Sequence, residues 1–425
     1  VKVLVLSNLY PPDTIGGYER GCRQAVDALQ ARGHEVLVLT SAPRRPVAPE
    51  PHVRRTLKLV DIWDHYYSRK CAPATLHLNE RESNRVSAYN VHSLLSALEE
   101  FQPDAVYVWM TVGLGGLGLM ACLRFLRVPW VWHLMDDVPA MLCKASGRLV
   151  PGFVREFERQ LDGHFLACSQ QLVDEIEAQG LRLPGVVEVL PNWIQGPRPV
   201  ARMSYYRDDH LRIVTAAGLI ERQVDKGVDL LIEAAALLRD RGHENFSVDI
   251  YGQVADPYYP ALLRKHRLTD RVVFRGSRTQ AELMGLYADY DVFAFPTRPR
   301  EPFGFAPLEA AACGCVPVMT QTCGIGEWFV HEVHCLKVRR SAEAFARAFG
   351  QILDRSIDLG PIGRRVGAVV RRDFHIDALF PRIEQALEGA SGRSRAGAGT
   401  PADAYRMALL AEKLDRILIQ EALCA

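Results

Sequence analysis

At 425 residues the chain has length for two or three domains, and 48% hydrophobic against 24% charged residues is an ordinary globular composition. A net charge of +1 offers no global attraction for nucleic acid or an anionic surface, so any basic site must be local. Ten cysteines form no CxxC pair and no His cluster accompanies them, which argues against structural zinc and a disulfide scaffold and fits a reducing cytoplasm.

The chain opens as strand, glycine loop, helix, strand. VKVLVLS supplies the first strand, Pro11 and Pro12 break it, and Gly16–Gly17 precede a helix from about Tyr18 to Arg32. Gly33 ends that helix and HEVLVLTS follows as a strand, an alternation that implies a parallel sheet. One Lys and a short strand do not read as a signal peptide. Gly16 and Gly17 permit close backbone approach at a helix start, where N–H groups point outward. Residues 42–88 are rich in Pro and Arg and then carry Trp63, Tyr66, Tyr67, Arg69 and Lys70, a basic-aromatic patch that suits an amphipathic surface.

DAVYVWM is the next strand. Behind it, Gly113–Leu–Gly115–Gly116–Leu–Gly118 matches a dinucleotide fingerprint, with Asp136 and Asp137 near the distance of a ribose-binding acid. Three points weaken that reading. The unit is not the first of its sheet, so glycine-rich a string matches by chance, and the following strand ends in His133. The apolar run through this string is broken by glycines and an Arg, so no transmembrane span is expected. His133 lies at the carboxyl end of WVWHL, where open α/β sheets bind ligands. Asp136–Asp137 read equally as a solvated helix cap or a functional pair.

HFLACS, QQLVDEIEAQG and VVEVLPNWI complete the first half, and Gly196–Pro197–Arg198–Pro199 marks the crossing to a second. There, strands are expected at 211–217, 246–252, 271–275, 291–295, 315–320 and 334–338, with helices between. The fold class is α/β, with two Rossmann-like parallel-sheet domains facing across a cleft. Their expected bounds are 1–195 and 196–388. Residues 389–425 read as a flexible linker and a terminal helix, about 403–423, striped by Met407, Leu410, Leu414 and Ile417. That helix is free to dock on the body or on a partner. Asp289–Tyr–Asp291 spells DxD but sits at a helix–strand junction and reads as structural.

The most informative stretch is DVFAFPTRPREPFGFAPLEAAACGCVP, Asp291 to Pro317. A buried strand breaks at Pro296 into a polar loop and resumes as a small apolar helix. Pro302 holds Glu301 extended, and Pro307 suits the first helical position, with Ala306 as N-cap and Glu309 in the first turn. Backbone N–H groups near Gly304 and Phe305 then form an anion site between two carboxylates. Acceptors for hydroxyls beside donors for a pyrophosphate suit a sugar nucleotide.

Glu301–Pro–Phe–Gly–Phe–Ala–Pro–Leu–Glu309, with the Gly–Cys–Val–Pro turn behind it, resembles the E-x7-E signature of glycosyltransferase family 4. The resemblance runs from residue 1 to about 385. It implies the GT-B fold and a retaining transfer from an NDP-sugar to a hydroxyl acceptor, by front-face attack in which the departing phosphate helps deprotonate the acceptor. On this resemblance Gly16 and Gly17 face donor phosphates and acceptor, and His133 hydrogen-bonds the transferred sugar. Lys226, before Gly227, clamps the pyrophosphate. The family's usual Arg is replaced by Leu219, and Arg222 is its substitute. Glu301 takes sugar hydroxyls and Glu309 the ribose, with Phe303, Gly304 and Phe305 at the diphosphate. Gly276, after Arg275, walls the nucleobase. The catalytic set is His133, Lys226, Arg222 and Glu301. No metal or other cofactor is implied, since a Lys/Arg pair neutralises the leaving group. The expected setting is cytoplasmic, with peripheral contact at the inner face of a membrane left open, no nucleic acid, and the terminal helix available to another subunit. The acceptor classes are bacterial polysaccharide, glycolipid and natural product. The rival readings are a non-catalytic GT-B-like subunit that binds a sugar nucleotide or a partner, and a phosphorylase or epimerase of the same fold.

Overall fold

The computed structural model describes residues 1–59, 85–147, 158–159, 161–195, 204–222, 225–297, 300–392 and 397–424. The basic-aromatic patch at 63–70 and the crossing at 196–199 lie outside the described residues. The chain divides into two compact units. The first is Val1–Cys168 with Leu172–Leu190 and Phe380–Ala425, and the second is Ser169–Gln171 with Pro191–Leu379.

The first unit is built on seven parallel strands: β1 (Lys2–Ser7), β2 (Glu35–Ser41), β3 (Val53–Leu57), β4 (Ala105–Met110), β5 (Trp130–Leu134), β6 (His164–Ala167) and β7 (Val186–Val189). Their order is β3-β2-β1-β4-β5-β6-β7, so the winding reverses between β1 and β4. Val3, Leu4, Val5 and Leu6 are fully buried, as expected of a parallel strand covered on both faces.

The second unit holds six parallel strands: β8 (Leu211–Ile220), β9 (Phe246–Val254), β10 (Val272–Gly276), β11 (Val292–Phe295), β12 (Val316–Thr320) and β13 (Leu336–Val338). The order β10-β9-β8-β11-β12-β13 reverses between β8 and β11. β8 outlasts its expected end by running to Ile220 through a register shift against β9. β13 starts late because His334 closes a turn, its N–H donating to the Val330 carbonyl at 2.9 Å. Asp291 confirms the structural reading of DxD: it is buried, and its carboxylate accepts the backbone N–H groups of Tyr206 and Arg212 at 3.0 and 2.9 Å. Asp289 pairs with Arg207 at 3.6 Å.

The C-terminal segment packs on the first unit. The helix Ile376–Ser391 continues past the expected linker start, and the Gly399 N–H donates to the Phe125 carbonyl at 3.0 Å. The last helix, Pro401–Cys424, packs on the helix Ala88–Phe101 through buried Ala404 and Ala408, whose small side chains allow close approach. Glu412 accepts from the Ala88 N–H at 2.7 Å and Asp415 pairs with Arg85 at 3.2 Å. The stripe of Met407, Leu410, Leu414 and Ile417 is on the exposed side. Among the described residues no helix is long and apolar enough to cross a membrane, and the eight cysteines whose side chains are described are buried thiols in no disulfide.

Candidate functional site

β11 ends at Pro296–Thr297, and the chain returns through Glu301 to the helix Phe305–Ala312. Glu301 is extended and bridges Cys323, as Pro302 demands, with the Gly324 N–H donating to its carbonyl at 2.9 Å. Its carboxylate is almost buried and anchored twice. Oε2 accepts from Lys226 Nζ at 2.7 Å and from Thr297 Oγ1 at 3.1 Å. Lys226 stands on the loop that follows β8 and leads into the helix Val228–Asp240. The ion pair therefore sits beyond the carboxyl ends of β8 and β11, at the topological switch point of its sheet, where open α/β sheets take ligands.

The helix carrying Glu309 begins two residues earlier than the prolines suggest. Gly304, at φ 104°, is its N-cap, Phe305 is its first residue and Pro307 its third. Pro307 is tolerated because first-turn donors have no intrahelical acceptor. A Cβ on Gly304 would lie 2.8 Å from the Phe295 ring, so only glycine closes this turn. Glu309 becomes the fifth helical residue, buried, with Oε1 accepting from Gln280 Nε2 at 2.6 Å. That removes it from a capping role. No local pattern marked Gln280, which opens the helix Gln280–Leu286, or Thr297, which stands on the same loop as Glu301.

Two expected members stand differently. Arg222 pairs with Asp256 at 2.7 Å and covers the Tyr258 ring at 5.0 Å, and its guanidinium is largely exposed. Gly276 ends β10 at φ 71° in open space, while Arg275 beside it holds Asp249 at 3.0 Å.

In the first unit, Gly16 is the N-cap of the helix Gly17–Ala31. Buried Glu19 in its first turn accepts the N–H groups of Ile15 and Gly16 at 3.2 and 3.0 Å. The Gly16 N–H, expected to face phosphate, is thus engaged by a carboxylate that sequence reasoning passed over. His133 is the penultimate residue of β5 and is fully buried. Its Nδ1 lies 2.8 Å from the Tyr107 hydroxyl, and its ring stacks on Trp109 at 4.5 Å. The alternation in AVYVWM puts Tyr107 and Trp109 on one face of β4, a signal that could have found them but was not used. Burial pushes the His133 imidazole down to about 3, so it is neutral at pH 7. Unfolded His titrates near 6.5, so the unfolded state binds the extra proton between these values and stability falls as pH drops below 6.5. The expected loss between pH 7 and pH 5 is about 2 kcal/mol. His133→Gln should flatten that slope in urea unfolding, and an unchanged slope would assign it to other groups.

Asp137 accepts from Gln179 at 2.8 Å, and its carbonyl accepts the Met141 N–H at the start of the helix Val138–Gly147. The glycine string has a packing explanation. Cβ atoms on Gly115 and Gly118 would fall 2.4 Å from Ser87 N and 2.9 Å from Val86 Cγ1, so these glycines admit the neighbouring chain.

Two parallel sheets flanked by helices define a GT-B chain of two Rossmann-like units. The sequence is related to glycosyltransferases over both: residues 15–195 match Glycosyltransferase Family 4, and residues 211–355 match Glycosyl transferases group 1. A glycogen synthase of Mycobacterium tuberculosis is 27% identical over 378 residues, covering 83% of this chain and 86% of the relative. The fold is shared with sucrose-phosphate synthase from Thermosynechococcus elongatus, at a TM-score of 0.68 and 19% identity over 91% of this chain and 98% of that one. It is shared also with Anabaena HepE in complex with UDP, at 0.65 and 18% over 92% and 100%. Among the described residues no group of three or more His, Cys, Asp or Glu is placed to hold a metal ion.

Proposed function

We propose that the protein is a retaining family 4 glycosyltransferase that moves a sugar from an NDP-sugar to a hydroxyl acceptor without a metal. The observation that carries this reading is the Lys226–Glu301 pair, 2.7 Å apart at the switch point of the second sheet, with buried Glu309 on the adjoining helix. Lys226 is the cation for the leaving diphosphate, assisted by the N–H groups at the start of the helix Phe305–Ala312. Glu301 accepts sugar hydroxyls and Glu309 ribose hydroxyls. The work is positioning and charge stabilisation rather than covalent catalysis. The roles of His133, Gly16 and Gly17 toward sugar and acceptor rest on the family resemblance, with His133 buried and the Gly16 N–H held by Glu19, and Arg222 reaches a diphosphate only after leaving Asp256. The product class proposed is a bacterial polysaccharide, glycolipid or glycoside, made in the cytoplasm.

A thermal-shift panel of UDP, GDP, dTDP, CDP, ADP and NAD⁺, with and without EDTA, tests it. A ligand at a hundred times its dissociation constant stabilises the fold by about 2.7 kcal/mol. One nucleoside diphosphate, insensitive to EDTA, is expected to shift the midpoint. A response to NAD⁺ alone would overturn the reading, and no response would favour a non-catalytic subunit.

A further inference from the structure

The cluster around Glu301 contains a cation that touches neither expected carboxylate. Arg340 lies between β13 and the helix Ala342–Leu353. Its side chain is about three-quarters buried and spans two loops: Nη2 donates to Asp225 Oδ1 at 2.5 Å, and Nε donates to the Thr297 carbonyl at 2.8 Å. Asp225 precedes Lys226 and has φ 45°, a left-handed conformation that a non-glycine residue adopts only when held. Thr297, almost fully buried, gives its hydroxyl to the same Glu301 oxygen that pairs with Lys226. The contacts close into a ring: Arg340 to Asp225, along the chain to Lys226, across to Glu301, to Thr297 and back to Arg340.

We infer that Arg340 is a positioning residue that fixes the Lys226 ammonium against Glu301. This rests on the reading of those two residues as the donor site. A lysine is a point charge on a flexible stem, and its reach is set by how its backbone is held. Arg340 holds the loop on one side of the pair through Asp225 and the loop on the other through Thr297. A guanidinium can do this because its donors diverge in a fixed plane, whereas one ammonium cannot match both acceptors. Ser341, after Arg340, caps the next helix by accepting the Ala344 N–H at 3.2 Å.

The test is a double-mutant cycle read by titration with the nucleoside diphosphate that shifts the wild type most. Arg340→Ala should weaken binding about tenfold, in the range of coupling found between groups of one salt-bridge network. In a Lys226→Ala background it should change binding less than twofold, because its effect passes through Lys226. Arg340→Lys should resemble Arg340→Ala. Equal tenfold losses in both backgrounds would mean that Arg340 meets the ligand or merely holds the fold, and would overturn the inference. So would full affinity in a folded Arg340→Ala. If Lys226→Ala alone binds like wild type, the site reading fails instead, whatever Arg340 does. Asp225→Asn gives an independent arm, since it keeps the shape while weakening the ion pair, and should reproduce part of the loss.

Discussion

Lys226→Ala is expected to lower sugar transfer and donor hydrolysis by about a hundredfold to a thousandfold while the chain stays folded. When the sugar of an NDP-sugar is transferred, the nucleoside diphosphate departs as an anion, and the rate depends on positive charge already in place when the bond breaks. Lys226 is the cation paired with Glu301, and its side chain is about a quarter exposed. Removing a single preorganised charge of this kind costs about 3–4 kcal/mol at the transition state. Stability should change less, because Glu301 keeps its bond from Thr297 Oγ1 at 3.1 Å. Initial rates with the identified donor, beside a thermal midpoint, separate the two effects. Wild-type rates would remove Lys226 from the mechanism.

The second large effect is expected from Gly227→Ala. Gly227 has φ 67°, and a Cβ there would stand 1.8 Å from the Pro296 carbonyl oxygen. Two costs combine: the left-handed conformation, about 1–2 kcal/mol for an alanine, and a backbone overlap that only movement of the loop relieves. That movement carries Lys226 away from Glu301. Activity should therefore fall as far as in Lys226→Ala, and stability by more than about 2 kcal/mol. Gly276→Ala is the control. Its φ of 71° is nearly the same, but no atom lies within 4 Å of the added Cβ. It should show the conformational cost alone. Equal midpoints for the two variants would mean that the Pro296 contact is not close in solution.

How far the site could be read from the chain varies with the interaction concerned. Glu301 and its extended backbone were legible because Pro302 acts on its immediate neighbour. The start of the next helix was not, because proline tolerates any position in the first turn while the Gly304 turn is set by the Phe295 ring across the loop. Arg222 reads as the substitute for the family's Arg, yet Asp256, 34 residues on, holds it. Nothing local to Arg222 announces that partner.

By itself the sequence determined the alternation of strands and helices, the two parallel sheets and the candidate carboxylates, since periodicity, prolines and glycines act over a few residues. The tertiary structure alone decided which side chains meet: Thr297 and Lys226 on Glu301, Gln280 on Glu309, and Arg340 bridging Asp225 and Thr297. It also decided that the last helix packs through Ala404 and Ala408 and leaves its longer apolar residues outside. Apart from Thr297 and Glu301, which share a loop, such contacts join residues far apart in the chain, and their geometry depends on strand order and on the register of each loop, which no local pattern encodes.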